Sequence, residues 1–224
     1  MENAVRESTG YGFFLEEAVE RHFADLNIKL LSGRHIQQND ANVFFVLEDY
    51  FNPLRNFYSC IYKLALVRAI GDRSIYFYLN FFDEGKGKLS DPSRSKTLTE
   101  LQTIVGLALL DMYYSRYFDH PKIISWPDIQ KEIMDGEHKL EYQRIFFENV
   151  GPVYSENAWA KAEKRFTNTI KSFDELGWVR RLSNQQEQLR FELQPSIHRI
   201  ADLYAKELQD FVTFCEKHKN RIAE

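Results

Sequence analysis

"SFDELGWVRRLSNQQEQLRFEL", at residues 172–193, is the stretch that decides the predicted fold of this chain. Its first part is typical of a helix end, Gly177 of a tight turn, and the rest of two short strands joined by a polar loop. A helix followed by such a hairpin is the outline of a winged helix. Many winged helices bind DNA and others bind proteins, so the outline alone leaves two classes of function open.

The first part of the chain shows the same outline. Apolar residues follow helical spacing over residues 11–31, and Gly33 is placed to end that helix because glycine enters the left-handed conformation without strain. Asn39 or Asp40 can cap a second helix. A third helix has Pro53 in its first turn, where proline is tolerated.

A hairpin is predicted after the third helix. Gly71 and Asp72 separate two runs that are rich in β-branched and aromatic residues, which is a hairpin signal. Alternation in the second strand places Tyr76 and Tyr78 on one face, opposite the aliphatic side chains. Three helices and a two-stranded wing therefore predict a first domain at residues 1–82.

A linker and a second domain follow. Residues 83–97, "DEGKGKLSDPSRSKT", combine Gly, Ser, Pro and alternating charges without periodicity, which predicts the linker. The second domain, 98–224, begins with a long helix and continues with a helix capped by Ser125. Residues 135–157 show no regular pattern. One more helix leads to the second hairpin, and a long helix is predicted after Pro195.

The predicted fold class is therefore mainly α with small β wings: two tandem winged-helix domains plus a long C-terminal helix. The two halves share an order of elements, although their sequences are not similar. Apolar residues of the terminal helix recur with heptad-like spacing from Ile197 to Cys215. That spacing suits packing against its own domain or against another chain.

Charge and cysteine content narrow the class of protein. The chain of 224 residues has 29 basic and 33 acidic residues, a formal net charge of −4. A protein that binds nucleic acid mainly by neutralising phosphates is normally basic. Any DNA contact of this chain is therefore expected to be local and weak, with help from a partner. Two distant cysteines form no disulfide framework, which favours a cytoplasmic location. Neither a secretion signal nor a membrane-spanning run is expected from the sequence.

The sequence lacks the patterns that carry most known chemistry. "EGKGKLS" has the wrong spacing for a phosphate-binding loop. Cys215 and His218 lie one helical turn apart but lack a second pair of metal ligands, and no nucleophile elbow occurs. We therefore expect no enzyme activity, no cofactor, no metal and no small-molecule substrate.

Basic residues concentrate around the second wing. Between residues 157 and 182, six basic residues stand against three acidic ones, a local charge of +3. Lys and Arg side chains of this kind suit phosphate contacts, which position a protein on DNA without reading its sequence. A solvated amphipathic face explains the same pattern. The residues predicted to contact DNA are Lys161, Lys164, Arg165, Asn168, Lys171, Arg180 and Arg181.

The tyrosine face of the first wing is a candidate protein interface. Tyr76 and Tyr78 lie on one face of a strand and follow the aromatic segment "RNFYSCIY" in the chain. Aromatic residues are enriched at the cores of interfaces. Packing against the neighbouring domain is the alternative.

Three stretches in one order carry a family resemblance: "LLSGRHI", "LTELQTIVGLALLDMYYS" and "FTNTIKSFDELGWVRRLSNQQEQLRFELQPSIHRIADL". Together they resemble the MukE/MksE family of bacterial condensin subunits, the tandem winged-helix "kite" proteins, over roughly residues 13–205. The chain ends in a charged helix and lacks the acidic, low-complexity tail of longer members. It is thus similar both to MksE-type subunits and to their relatives in the plasmid-defence (Wadjet) condensins.

The resemblance implies a non-enzymatic subunit. Such a protein forms a homodimer, binds the kleisin subunit and sits over the ATPase heads of a coiled-coil SMC protein. It touches DNA weakly, through the complex, in a cytoplasmic and nucleoid-associated assembly that serves chromosome condensation and partition or plasmid defence. Arg34 and His35 match "SGRHI" and are assigned to a protein interface or to the turn between helices. A free-standing winged-helix transcription regulator is the alternative function.

Overall fold

The chain divides into two units, Met1–Lys96 and Thr97–Glu224. In the computed structural model the described residues are 11–81, 98–147, 149–182, 188–205 and 213. The linker predicted at residues 83–97 lies outside the described residues.

The first unit contains helices followed by a hairpin, as the sequence predicts. A 3₁₀ turn at Gly12–Leu15 precedes the first helix, and a π-helical turn at Tyr58–Tyr62 continues the third. The elements are α1 (Glu17–Leu31), α2 (Ala41–Asp49), α3 (Phe51–Phe57), β1 (Ala65–Gly71) and β2 (Ser74–Asn80).

Gly33 ends α1 through a Schellman motif. The Gly33 N–H donates to the Leu30 carbonyl at 3.0 Å, and the Arg34 N–H donates to the Lys29 carbonyl at 3.0 Å. Gly33 has a φ of 85°, in the left-handed region where a side chain would be strained. The prediction that Gly33 ends this helix is confirmed.

Asp40 occupies the N-cap position of α2 but does not cap the helix with its side chain. Its carboxylate instead accepts from Lys29 Nζ at 3.3 Å and from Arg34 Nε at 3.4 Å. The prediction of a side-chain cap at Asp40 was therefore wrong. Two nearby cations attract this carboxylate away from the helix end, and they join α2 to the end of α1.

The turn of the first hairpin lies one residue later than predicted. Asp72 and Arg73 form it with φ values of 47° and 65°, the positive pair that a type I′ turn requires. β1 and β2 are antiparallel, with Gly71 opposite Ser74.

Ile36 adds a third strand position that the sequence did not reveal. Its N–H donates to the Phe77 carbonyl at 2.8 Å, and its carbonyl accepts from the Phe77 N–H at 2.9 Å. Ile36 and Phe77 are fully buried, together with the inner stripes of the three helices. The segment between α1 and α2 is therefore fastened to the far strand of the hairpin.

The second unit has more elements. They are α4 (Glu100–Ser115), β3 (Ile123–Ser125), α5 (Trp126–Asp135), α6 (Lys139–Phe146), α7 (Glu156–Leu176), β4 (Val179–Arg181), β5 (Arg190–Leu193) and α8 (Arg199–Leu203). A 3₁₀ turn at Pro195–His198 precedes α8. α8 ends at Leu203, and most of the predicted long terminal helix, 206–212 and 214–224, lies outside the described residues.

α6 corrects the prediction that residues 135–157 are irregular. Its buried residue Gln143 donates from Nε2 to the Ile133 carbonyl of α5 at 3.2 Å and accepts from the Tyr154 hydroxyl at 3.1 Å. Phe147 stacks on Tyr154 with ring centroids 3.6 Å apart. These contacts with residues distant in sequence hold a helix whose own pattern is too short to recognise.

The second sheet has the strand order β3-β5-β4, and all pairs are antiparallel. In each unit, a strand position between the first two helices thus pairs with the second strand of the hairpin. This arrangement agrees with a winged helix in each unit, and their number stays a prediction. The predicted class, mainly α with small β wings, is confirmed.

Gly177 ends α7 in the same way as Gly33 ends α1. Its φ is 78°, its N–H donates to the Asp174 carbonyl at 3.1 Å, and the Trp178 N–H donates to the Phe173 carbonyl at 2.9 Å. We expect Gly177→Ala to lower the free energy of unfolding of the second unit by about 1–2 kcal/mol, because alanine is strained in this conformation. Urea unfolding followed by tryptophan fluorescence measures this, since all three tryptophans lie in that unit.

Gly151→Ala is the matched control. Gly151 has no left-handed φ, and a Cβ there would meet only the Val153 carbonyl at an ordinary 3.8 Å. Equal unfolding curves for the two variants would contradict the assignment of Gly177 as a required helix terminator.

Candidate nucleic-acid and subunit interfaces

α7 is a long, well-anchored helix that leads into the second wing. The Ser155 hydroxyl accepts from the Ala158 N–H at 3.3 Å at its start, and Gly177 terminates it. One face of α7 is buried in the core of the second unit. The buried residues on this face include Ala162, Phe166, Ile170 and Phe173.

Three lysines share the opposite face of α7. Lys161, Lys164 and Lys171 are exposed, and Asn168 is exposed among them. Their spacing of three, four and three residues places all four on one stripe of an α-helix, directly opposite the buried face. We call these four residues the lysine stripe. None of its lysines has an ion-pair partner among the residues that the structure describes.

The lysine stripe suits a regular polyanion. With a rise of about 1.5 Å per residue, Lys161 and Lys171 are separated by ~15 Å along the helix. Double-stranded DNA presents one phosphate charge per ~1.7 Å of its axis, so a surface of this length faces several phosphates. Ammonium groups on long flexible stems bind phosphates as point charges and do not read bases.

Arg165 differs from the lysines because its guanidinium is turned inward. It donates from Nη1 to the Ile145 carbonyl at 2.9 Å and lies 5.9 Å from the centre of the Phe146 ring. Burial lowers the pKa of the Arg165 guanidinium. Through its hydrogen bond to the Ile145 carbonyl, the side chain caps the C-terminal end of α6, where cations are favoured. A DNA contact by Arg165 stays a prediction, but its observed contacts are structural.

The wing arginines are also divided between two roles. Arg180 on β4 forms an ion pair with Glu192, with Nε 2.9 Å from the carboxylate Oε2. Arg181 is exposed, and its backbone N–H donates to Asp174 Oδ1 at 3.2 Å. The structure therefore places Arg181 next to the C-terminal end of α7. The charge of Arg180, in contrast, is balanced by the Glu192 carboxylate on β5.

Arg190 is an additional exposed cation that the sequence analysis missed. It lies at the start of β5, opposite Ser125 of β3, and its carbonyl accepts from the Leu182 N–H at 2.9 Å. Alternation with the inward residue Phe191 was the available signal, because it predicts that position 190 points outward. Arg190 brings a third exposed arginine to the wing, after Arg180 and Arg181.

The structure joins the two separate parts of the predicted protein interface. The rings of His35 and Tyr78 are stacked with centroids 5.0 Å apart, and Tyr76 lies 6.0 Å from His35. Pairing of Ile36 with Phe77 brings these neighbours together. Arg34 forms an ion pair with Asp40. We call Arg34, His35, Tyr76 and Tyr78 the histidine–tyrosine cluster.

The rings of the histidine–tyrosine cluster are buried. Tyr76, Tyr78 and His35 are 2%, 7% and 6% exposed. A role at an interface and the alternative, packing against the neighbouring domain, both stay predictions.

Two further observations concern metals and membranes. The described residues include no group of three or more His, Cys, Asp or Glu side chains arranged to bind a metal ion. Among the described helices, none combines the length and the apolar character needed to cross a membrane.

Arg165 and Lys164 are neighbouring cations on α7, one turned inward and one exposed. Replacing each by alanine tests how much the inward cation stabilises the fold. We expect Arg165→Ala to lower the free energy of unfolding by about 1–3 kcal/mol, because the Ile145 carbonyl loses a charged donor. Lys164→Ala, the exposed neighbour, should change it by less than about 0.5 kcal/mol. Urea unfolding followed by tryptophan fluorescence measures both. An Arg165 variant as stable as the Lys164 variant would show that the α6 cap contributes nothing.

The sequence matches a known protein family over most of its length. The family model described as the condensin complex protein MksE matches residues 21–205, more than four fifths of the chain. No curated protein matches the chain. The matched range includes both sheets, the histidine–tyrosine cluster and the lysine stripe. The chain therefore belongs to the MksE family of condensin complex proteins.

Proposed function

We propose that this protein is a non-enzymatic subunit of a condensin-like SMC complex that dimerises, binds the kleisin subunit and assists DNA entrapment. The observation that carries the DNA-contacting part is the lysine stripe on α7, which is exposed opposite the core and lies on the helix before the wing. Family membership supports the assembly with other condensin subunits.

Charge explains why DNA binding should depend on the assembly. The whole chain carries −4, so its long-range field does not attract DNA. A stripe of three lysines supplies few phosphate contacts, and few contacts give weak, salt-sensitive affinity. When other subunits hold the chain beside DNA, the effective concentration of DNA at the stripe is high, and a weak contact can form. The subunit therefore adds a contact to DNA that the complex already encloses.

The other subunits supply the chemistry in this proposal. The SMC protein hydrolyses ATP, and this chain offers surfaces to it and to the kleisin. Aromatic packing of His35 against Tyr78 fixes the backbone at the start of the first sheet, and we assign the histidine–tyrosine cluster to shaping a subunit-binding face. The complex acts at the nucleoid in the cytoplasm, in chromosome condensation and partition or in plasmid defence.

Reversing the charge of the lysine stripe tests the DNA contact. We expect the triple variant Lys161→Glu, Lys164→Glu and Lys171→Glu to reduce DNA retention by the complex while kleisin capture stays unchanged. Each lost phosphate contact should lower the slope of log K against log salt concentration by about 1, so the slope should fall by up to about 3. Fluorescence anisotropy with a labelled duplex at several salt concentrations measures the slope.

A matched control separates the stripe from total charge. Arg55, Lys131 and Lys139 are exposed and lie outside α7. Replacing these three residues by Glu gives the same net charge as the stripe variant. If both triple variants reduced DNA retention equally, the effect would come from overall charge and the stripe would be only a solvated surface.

Assembly tests the rest of the proposal. We expect light scattering to give twice the chain mass of 26.6 kDa, and a tagged kleisin from the same gene cluster to capture the protein stably. A protein that stayed monomeric and ignored the kleisin would overturn the proposal. Sequence-specific footprinting by the isolated chain would point instead to a transcription regulator.

A further inference from the structure

β1 is an edge strand whose backbone has groups that face away from the sheet. Phe77 of β2 uses both its N–H and its carbonyl for Ile36, at 2.9 and 2.8 Å. Arg68 lies opposite Phe77 in the hairpin, so the N–H and the carbonyl of Arg68 point away from β2. Because antiparallel pairing alternates along a strand, the N–H and the carbonyl of Ile70 point the same way.

This free edge of β1 is open at Arg68 and Ile70. Both residues are exposed, Ile70 to 66%. In the part of the chain that the structure describes, no backbone group hydrogen-bonds to the N–H or carbonyl of either residue. A row of such groups is a template for the backbone of another strand. The geometry therefore selects an extended peptide as the occupant.

The free edge lies in a basic surface. The elements that pack most closely on β1 are β2, α3 and the π-helical turn, and none of them contains Asp or Glu. Lys63, Arg68 and Arg73 are exposed before, within and after β1. None of these cations has an ion-pair partner among the described residues. Asp72 is the only acidic residue between positions 63 and 73, so the surface favours an acidic segment.

Arg68 makes the free edge selective. A charged side chain in an edge strand is a common protection against unwanted pairing. A second copy of β1 would bring another Arg68 and no carboxylate, and like charges on paired strands repel. A strand with a carboxylate at the matching position gains a favourable cross-strand pair instead. The same side chain thus disfavours self-pairing and favours an acidic partner.

Ile70 adds a second requirement. Residues two positions apart in a strand share a face, so the side chains of Arg68 and Ile70 lie on the same side of the sheet. Ile75 lies opposite Ile70 and is partly exposed, which extends the apolar surface across the hairpin. An incoming strand covers this surface when it has an apolar residue two positions from its carboxylate.

We propose that the free edge of β1 binds an extended segment of another protein chain, one with Asp or Glu opposite Arg68 and an apolar residue two positions away beside Ile70. The segment adds a strand to the sheet, with backbone hydrogen bonds supplying affinity and these two side chains supplying specificity. The site follows from backbone geometry and charge, so it does not depend on the proposed function.

Nucleic acid fits the free edge less well than a peptide does. Phosphates accept hydrogen bonds but donate none, so the carbonyls of Arg68 and Ile70 would stay unpaired beneath them. The exposed side chain of Ile70 would also remove water from a phosphate without replacing its hydrogen bonds.

Amide exchange in the full chain tests whether the free edge is open. By NMR, we expect the N–H groups of Arg68 and Ile70 to exchange at least about tenfold faster than those of Val67 and Ala69, which are paired with β2. Equal exchange of all four groups would show that this chain or a second copy already covers the edge, and the site would then be excluded.

A designed peptide tests the chemistry. The probe is acetylated Thr-Val-Thr-Glu-Thr-Val-Thr-amide, whose Val and Glu side chains share one face of a strand. We expect its titration into the isotope-labelled full chain to shift the amide signals of β1 and to slow exchange of the Arg68 and Ile70 N–H groups. The same peptide with Lys in place of Glu should bind at least about threefold more weakly. A copy N-methylated at Glu and both Val should not bind, because it cannot donate to the edge.

Reversing the charge of Arg68 tests the preference for an acidic partner. Arg68→Glu should bind the Lys peptide at least about threefold more tightly than the Glu peptide. Lys131→Glu is the matched control, since it changes the net charge equally at an exposed position in the second unit. It should keep the preference of the parent protein. Both side chains are exposed, so circular dichroism of the two variants should match the parent.

Four results overturn the site. They are absence of binding by the Glu peptide, which leaves Arg68 only a protective role; signal shifts confined to residues outside β1; equal affinity for the Glu, Lys and N-methylated peptides; and an unchanged preference in Arg68→Glu. Duplex DNA that slowed exchange at Arg68 and Ile70 as the Glu peptide does would assign the edge to nucleic acid instead. None of these measurements involves kleisin capture, so their failure leaves the proposed function standing.

Discussion

Each unit depends on one pairing: the segment between its first two helices hydrogen-bonds to the second strand of its hairpin. In the first unit a single residue, Ile36, makes this pairing with Phe77, and in the second unit the three residues of β3 pair with β5. Without it the hairpin would be a two-stranded ribbon, which is marginally stable by itself. The pairing therefore attaches each hairpin to the segment between the first two helices of its unit.

Cations in the second unit serve two distinct purposes. Arg165 and Lys122 turn inward and satisfy carbonyls at or just beyond the ends of α6 and α4, and Arg116 joins α4 to α5. The lysines of the stripe on α7 make no such contacts within the described residues. Counting charges in the sequence does not distinguish these two groups of cations. Their hydrogen bonds in the structure do. The local excess of positive charge is therefore partly structural, and the part available to a polyanion is smaller and more regular.

Local signals predicted most of the fold. The glycines at 33 and 177 and the apolar spacing of α7 determine their elements through neighbouring residues alone, and the structure agrees. Features that depend on distant contacts were missed. Ile36 becomes a strand position only because Phe77 lies beside it, and α6 is held by a backbone carbonyl of α5 and by the side chain of Tyr154. The direction of Arg165 likewise depends on α6, so no periodicity on α7 could reveal it.

The position of the lysine stripe has an evolutionary consequence. Its side chains project from the face of α7 opposite the core, so a change of charge there costs the fold almost nothing. In the proposed DNA-contacting role, substitutions in the stripe can therefore strengthen or weaken DNA affinity without destabilising the fold. Residues on this face are therefore free to change among proteins with the same fold, whereas the buried residues of α7 are not.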